Sequence, residues 1–271
     1  MLIDLKERVA IVTGVGRGIG REIATTLARE GAIVIAIDIN ESDLVETANE
    51  LGGIDAVHRE FVCDVRDASR IAEVISDIDA EFGGIDILVN NAGVAGNGPI
   101  DELDEKTWDF VHDVNLKGTF LMCRAVVPVM KRRKFGRIIN AASFAALVPI
   151  YASGAYASSK VAVAHFTRAL AGEVGPWNIT ANSYAPGMVP TVINRFTERP
   201  HAEQSQLLDT LSLRHWGDKA DIANLICFLA SDLAGYITGT LIDVSGGKLA
   251  TQVPRLAYEA AAEAGDYEFD L

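Results

Sequence analysis

The 271-residue sequence predicts an α/β protein built on one doubly wound parallel sheet with helices on both faces. Three observations carry that expectation. Short apolar runs alternate with longer amphipathic stretches from the first residues to about 245. Most of the runs lack polar alternation, as strands covered on both faces do. A glycine cluster stands where the first run meets the first amphipathic stretch, a turn at which such sheets bring backbone close to a ligand.

Taken in order, strands are expected at residues 9–12, 33–37, 56–62, 85–89, 137–141, 180–184 and 240–244, about seven in all. Helical periodicity fills the gaps at 19–30, 41–51, 68–82, 106–132, 155–174 and 219–231. Residues 1–247 read as a single domain with one long insertion, 188–216, after the sixth strand. A long loop at a strand's carboxyl end is expected to serve as a substrate lid. Residues 248–271 form a C-terminal extension with a short helix expected over 257–264 and acidic residues Asp266, Glu268 and Asp270 at its end.

Composition excludes several classes of function. Lys and Arg number 24 against 37 Asp and Glu, a net charge of −13, which disfavours general binding to nucleic acid or an anionic membrane. The basic tract Lys131-Arg132-Arg133-Lys134 sits at a helix end, where cations complement the dipole. Cys63, Cys123 and Cys227 are too dispersed for a disulfide framework or a four-thiolate zinc site. The five histidines, His58, His112, His165, His201 and His215, lack ligand spacing, so no metal is expected. No stretch approaches the roughly 20 apolar residues of a membrane span. The opening residues carry Asp4, Lys6, Glu7 and Arg8 rather than a secretory apolar core. The expectation is a cytoplasmic protein.

The glycine cluster runs from Thr13 to Gly20, with Gly14, Gly18 and Gly20 spaced G-x-x-x-G-x-G around Arg17 and Ile19. Glycine permits the tight turn and the close approach of backbone to a pyrophosphate, and the helix N-terminus beyond it attracts phosphate. Alone, the cluster is weak evidence, since a bare structural turn also explains it. Asp38 ends the second strand, 18 residues beyond Gly20. A carboxylate there accepts hydrogen bonds from both ribose hydroxyls and repels a 2′-phosphate. Arg17 pulls the other way, but an exposed cation gains less from a phosphate than a fixed carboxylate costs it, so the expected cofactor is NAD rather than NADP. Asp64 and Val65 close the third strand, and Asn91, Ala92 and Gly93 follow Asn90 at the end of the fourth. Both segments fall where open α/β sheets bind ligands, although an N-N-A-G run is also an ordinary turn.

Tyr156 and Lys160 are four residues apart in a helical stretch and share one face. A neighbouring ammonium favours the phenolate. Bringing a phenol from about 10 to about 7 takes about 3 pKa units, or roughly 4 kcal/mol, and yields a general base suited to alcohol oxidation. The pair by itself occurs by chance in many helices.

Taken together, the glycine segment, Asp38, Asn90 to Gly93, Asn115, Ser143, Tyr156, Lys160 and Pro186-Gly187 resemble the short-chain dehydrogenase/reductase family over roughly residues 5–247. Ser143 precedes Tyr156 by thirteen residues, the family's usual interval. The resemblance implies a Rossmann-type fold and hydride transfer between a nicotinamide and a small secondary alcohol or ketone. By position, Ser143 would hold the substrate oxygen, and Tyr156 would exchange the hydroxyl proton. Lys160 would lower the tyrosine pKa and bind the nicotinamide ribose, and Asn115 would anchor a water linking Lys160 to solvent. Pro186, Gly187, Val189 and Thr191 match the segment that touches the nicotinamide.

One departure is Ala142, where many relatives carry a second hydroxyl before the serine. Phe144, after it, either narrows the pocket or packs under the lid. Phe144, Tyr151 and Met188, with Val94 and Trp216, are apolar candidates for the substrate pocket. Arg195 and Arg199, with His201, Arg214 and His215, read either as a site for an anionic group or as a solvated loop surface. Arg214 to Gly217 also resembles a structural segment of the family. The family likeness implies a homotetramer burying the helical stretches near 110–130 and 161–170. The tail reads either as an arm closing a neighbour's active site or as a frayed end. Two competing functions remain: a 3-oxoacyl thioester (acyl-carrier-protein) reductase, usually NADPH-dependent and so opposed by Asp38, and a non-catalytic dinucleotide-binding sensor or scaffold. Against the last stands the complete set Asn115, Ser143, Tyr156 and Lys160.

Overall fold

The structure, a computed structural model, describes residues 3–54, 56–191, 194 and 196–269. Seven parallel strands form one sheet in the order β3-β2-β1-β4-β5-β6-β7. They are β1 (Val9–Thr13), β2 (Ile33–Asp38), β3 (His58–Val62), β4 (Ile87–Asn90), β5 (Gly136–Ala141), β6 (Ile179–Pro186) and β7 (Leu241–Val244). The helices are α1 (Gly18–Arg29), α2 (Glu41–Gly53), α3 (Ala68–Phe82), α4 (Glu105–His112), α5 (Gly118–Arg133), α6 (Gly154–Val174), α7 (His201–Leu208), α8 (Lys219–Ala230) and α9 (Arg255–Glu263). This is the Rossmann-type arrangement, and its strand order reverses between β1 and β4, which opens a crevice at the carboxyl ends there.

The central strands are wholly buried, with every residue of β1, β4 and β5 inside. One apolar cluster joins them to α1, α2 and α8 through Ile23, Leu27, Leu44, Ile222 and Ile226. The other face packs on α3, α5 and α6 through Ile71, Ile78, Met122, Val126 and Val174. The edge strand β3 is an exception, with three of its five residues exposed. Helix starts follow local chemistry. Asn40, Asp67 and Asp104 cap α2, α3 and α4 by accepting backbone N–H bonds, and Asp218 with Asp221 forms a capping box on α8.

Parallel register brings the strand ends level, pairing Thr13 with Ile37, Asn90 with Asn140 and Ala141 with Tyr184. A buried polar chain locks this end. Asn90 Nδ2 donates to Asn140 Oδ1 (2.8 Å), and Asn140 Nδ2 donates to Thr167 Oγ1 on α6 (2.9 Å). It fixes α6, and so Tyr156 and Lys160, against β4 and β5.

The structure departs from expectation in three places. The single helix expected over 106–132 is α4, a π-helical turn Asp113–Lys117, and α5. Apolar periodicity cannot register the one extra residue of a π turn. The insertion 188–216 holds its own order, a 3₁₀ turn Phe196–Glu198 and α7. The tail packs on its own chain: Tyr258 donates to the Ser212 carbonyl (2.6 Å) and accepts from Arg214 N (3.0 Å). The three cysteines are free and buried. Among the described residues no helix is long and apolar enough to cross a membrane, and no cluster of metal-ligating side chains occurs.

Candidate active site

The glycine turn is fastened from two sides. Gly14 N donates to Ile37 O (2.8 Å), and Asn91 Nδ2 donates to the carbonyls of Thr13 and Gly14 (both 3.1 Å). Thr13 Oγ1 accepts from the backbone N–H of Asn91 and of Ala92 (both 3.1 Å). The N-N-A-G run therefore clamps the phosphate-type loop rather than forming an idle turn. Two residues outside the sequence-based site set serve the same loop. Arg21 reaches the Gly16 carbonyl, Thr47 Oγ1 (3.0 Å) and Glu46 (3.0 Å). Tyr184 donates to Asn91 Oδ1 (3.1 Å) from a fully buried position.

Asp38 is oriented by the same loop. Its Oδ2 accepts from Gly16 N (2.7 Å) and its Oδ1 from Asn40 N (2.9 Å). Each carboxylate oxygen has about two acceptor directions, so one on each stays available. Arg17 is exposed. Asp64 is held by Arg66 (2.6 Å), which keeps its carboxyl below the usual range, and Val65 is buried against Gly118.

A dinucleotide fits this end on structural grounds. Gly18, at φ +63°, would meet nothing within 4 Å if it carried a Cβ, so the outer edge of the loop is open. Ile19 and Gly20 complete the first turn of α1, whose N-terminus receives no side-chain cap and has no acid in its first turn. Helices α2, α3 and α8, by contrast, are capped by side chains. Free N–H groups and a positive dipole end at a glycine loop suit a phosphate.

Ser143, Tyr156 and Lys160 meet at the carboxyl end of β5. Ser143 Oγ accepts from Ala145 N (3.1 Å). Burial pushes the Tyr156 phenol above its ordinary pKa, and the neighbouring Ser143 hydroxyl acts against that rise. The Lys160 ammonium lies 5.8 Å from the Tyr156 ring centre and donates to the Ala141 carbonyl (2.8 Å). Burial lowers its pKa to about 8. Gly93 lets these groups gather, since a Cβ there would stand 3.2 Å from both Lys160 Nζ and Asn115 Oδ1.

Asn115 lies in the π turn and is 1% exposed. Its side chain accepts from Val94 N (2.8 Å) and donates to Val94 O (3.0 Å) and Ser159 Oγ (2.9 Å). The side chain is thus a clamp between the β4 loop and α6. Only its main chain faces other duties, and the carbonyl already accepts from Thr119 Oγ1 (2.8 Å).

The segment after β6 curls beside this centre. Gly187 N donates to Val244 O (2.9 Å), Val189 is buried, and Thr191 N donates to Asn194 Oδ1 (3.0 Å); Pro186 ends the strand. Of the substrate candidates, Phe144 is buried and lines a cleft of about 410 Å³ with Val148, Ile150, Thr210, Lys248 and Val253. Met188 is half-buried, and Tyr151 is 86% exposed and stands outside that cleft. Arg199 pairs at the surface with Glu203 (3.8 Å). Arg214 is buried against Asp209 (2.8 Å) and the tail, so it braces the structure. Arg195 lies outside the described residues.

A parallel α/β sheet that gathers a serine, a tyrosine and a lysine beside a glycine-loop crevice defines a nucleotide-dependent oxidoreductase. The family description "Enoyl-(Acyl carrier protein) reductase" matches residues 14–248. D-threitol dehydrogenase of Mycolicibacterium smegmatis is 39% identical over 244 residues, covering 90% of this chain and 93% of that protein. The 3-oxoacyl-[acyl-carrier-protein] reductase FabG of Thermotoga maritima is 35% identical over 244 residues, covering 90% and 98%. A crystal structure from Sinorhizobium meliloti 1021, of a candidate short-chain alcohol dehydrogenase, superposes with a TM-score of 0.88 at 36% identity, covering 93% of this chain and all of that one. The chain belongs to the short-chain dehydrogenase/reductase family, an oxidoreductase family that binds nicotinamide dinucleotides and acts on small molecules.

Proposed function

We propose that the protein is an NAD-dependent enzyme interconverting a secondary alcohol and its ketone, with Tyr156 as general acid/base. The observation that carries this reading is the meeting of Ser143, Tyr156 and Lys160 at the carboxyl end of β5, with the Lys160 ammonium held by the Ala141 carbonyl 5.8 Å from the Tyr156 ring centre. In oxidation Tyr156 takes the hydroxyl proton while Ser143 donates to the substrate oxygen and stabilises charge there. Lys160 spends one N–H on Ala141, which leaves two donors for the nicotinamide ribose, and its charge favours the phenolate. The bound nicotinamide supplies hydride acceptance and return. Residues 14–20, Asp38, Asn91 to Gly93 and 186–191 would hold it, and residues 188–216 would cover the site. Asn115 positions Val94 and Ser159 around this centre, and its main-chain carbonyl is the remaining anchor for a proton-relaying water.

Asp38 supports NAD over NADP: its two oxygens are steered by Gly16 and Asn40 and would repel a 2′-phosphate. The threitol dehydrogenase supports a polyol-like or simple secondary alcohol as substrate. The FabG relative supports the second reading, a 3-oxoacyl thioester reductase. Exposed Trp108, Phe110 and Phe120 on α4 and α5, and Val161 on α6, support burial of these helices in a homotetramer.

The test is a screen of secondary alcohols, polyols and 3-oxoacyl thioesters, reading NADH and NADPH absorbance in parallel. NAD-linked oxidation of a free alcohol is expected, and Tyr156→Phe should remove turnover while dinucleotide affinity stays within about twofold. Near-normal activity in Tyr156→Phe would refute the acid/base assignment, and exclusive NADPH-linked thioester reduction would establish the second reading.

A further inference from the structure

The catalytic set explains how an alcohol is held at its reacting carbon but not what holds its other end. The cleft beside Phe144 does. Phe144, which directly follows Ser143 in the chain, lines this cleft of about 410 Å³. Apolar lining comes from Phe144, Val148 and Ile150. The rest of the lining comes from the tail, Lys248, Leu249 and residues 251–255, and from Asp209 and Thr210.

Lys248 is the first residue after the Gly246-Gly247 pair that follows β7. Its ammonium stands 5.4 Å from the centre of the Phe144 ring and donates to Thr210 Oγ1 (2.8 Å). Among the described residues no carboxylate lies within 4.0 Å of it. The other charges around the cleft neutralise one another. Arg214 and Arg255 both bind Asp209, and Arg255 also pairs with Glu259 (2.7 Å). Two cations meet two carboxylates, and Lys248 is the excess charge. Asp243, five residues before Lys248, accepts from Ser245 Oγ (2.8 Å). A positive centre in an apolar cleft, on a chain carrying −13 overall, is a recognition feature for an anion.

We propose, on the strength of the function assigned above, that residues 248–255 form the distal half of the substrate site and that Lys248 anchors a carboxylate there. The substrate class is a secondary alcohol or ketone bearing a carboxylate beyond an apolar spacer. A singly charged group suits the site better than a phosphate dianion, because Asp209 lines the same cleft and repels a second negative charge more strongly. The structure also explains why the tail is fastened. Tyr258 and Arg255 tie it to Ser212 and Asp209, which holds Lys248 and residues 251–255 in place.

The test uses the full-length enzyme with its nicotinamide cofactor. A series of straight-chain hydroxy acids, differing in the methylenes between carbinol and carboxylate, is compared with the matching carboxamides. At the best length the acid should exceed its amide in kcat/KM by about tenfold or more. Lys248→Met should bring that ratio close to one, and Lys248→Arg should keep most of it. Amides as good as acids at every length, or a ratio unchanged in Lys248→Met, would overturn the carboxylate site. Should Lys248→Met not fold, the wild-type enzyme still decides. Hexanoate should inhibit competitively against the alcohol and more tightly than hexanamide, and equal inhibition by the two refutes the proposal. Failure to turn over any alcohol, neutral or acidic, would instead remove the underlying dehydrogenase reading.

Discussion

Lys160 shows how chemistry at one residue is set against stability. Its side chain is 4% exposed, and burial brings its pKa to about 8, whereas an unfolded lysine titrates near 10.4. Between those values the unfolded chain keeps a proton that the folded chain has released, so this residue makes stability rise with pH across that window. Below pH 8 both states are protonated and the whole penalty is present, about 3 kcal/mol before the hydrogen bond to Ala141 offsets part of it. Lys160→Met should therefore melt above wild type at pH 7, with the gap closing toward pH 10.5, and should lose activity. Calorimetry at several pH values checks this, and an equal or lower melting temperature at pH 7 would contradict it. The proposed mechanism accounts for this cost by its need for a cation beside Tyr156, a usual trade between stability and function.

Among the elements, the π turn Asp113–Lys117 has the most specific task. By adding one residue to the helix it turns the Asn115 side chain onto both backbone groups of Val94 and onto Ser159. These bonds join the loop after β4 to the helix that carries Tyr156. Asn115→Ala removes three buried hydrogen bonds and leaves the Val94 N–H and C=O without partners, a loss of about 3 kcal/mol. For a chain of this size that is roughly 6–12 °C in melting temperature. A melting temperature within about 2 °C of wild type would show that Val94 finds other partners. Helix α1 illustrates the opposite economy. Its first turn is left without a side-chain cap, and the stability a cap contributes, about 1 kcal/mol, is forgone where a phosphate is to be bound.

At the scale of the molecule, parallel register and the reversal of strand order between β1 and β4 assemble residues from five strand ends into one crevice. The exposed aromatics of α4 and α5 carry the expectation of a tetramer, so light scattering should give about four times 29.0 kDa, near 116 kDa. A mass near that of one chain would remove it. The strands and most helices were readable from sequence because apolar period and strand-to-helix turns are local properties. Asn91, Asp38, Tyr156 and Lys160 were readable because a motif's spacing survives in the sequence. Arg21 and Tyr184 were not, because each acts by reaching a loop distant along the chain or a backbone atom that no motif names. Lys248 left one faint signal, its place directly after two glycines at the end of the last strand. Only the meeting of the tail with Phe144 and Thr210 gives that lysine a setting.

Fold class, the dinucleotide end and the expectation of Tyr156 and Lys160 as the proton-transferring pair thus follow from the order of residues alone, since each rests on periodicity or fixed spacing. The direction of the pKa shifts, the role of Asn115 as a clamp and the pocket at Lys248 belong to the folded chain. They depend on burial and on contacts between segments far apart in sequence, and those come into being when the helices close over the sheet.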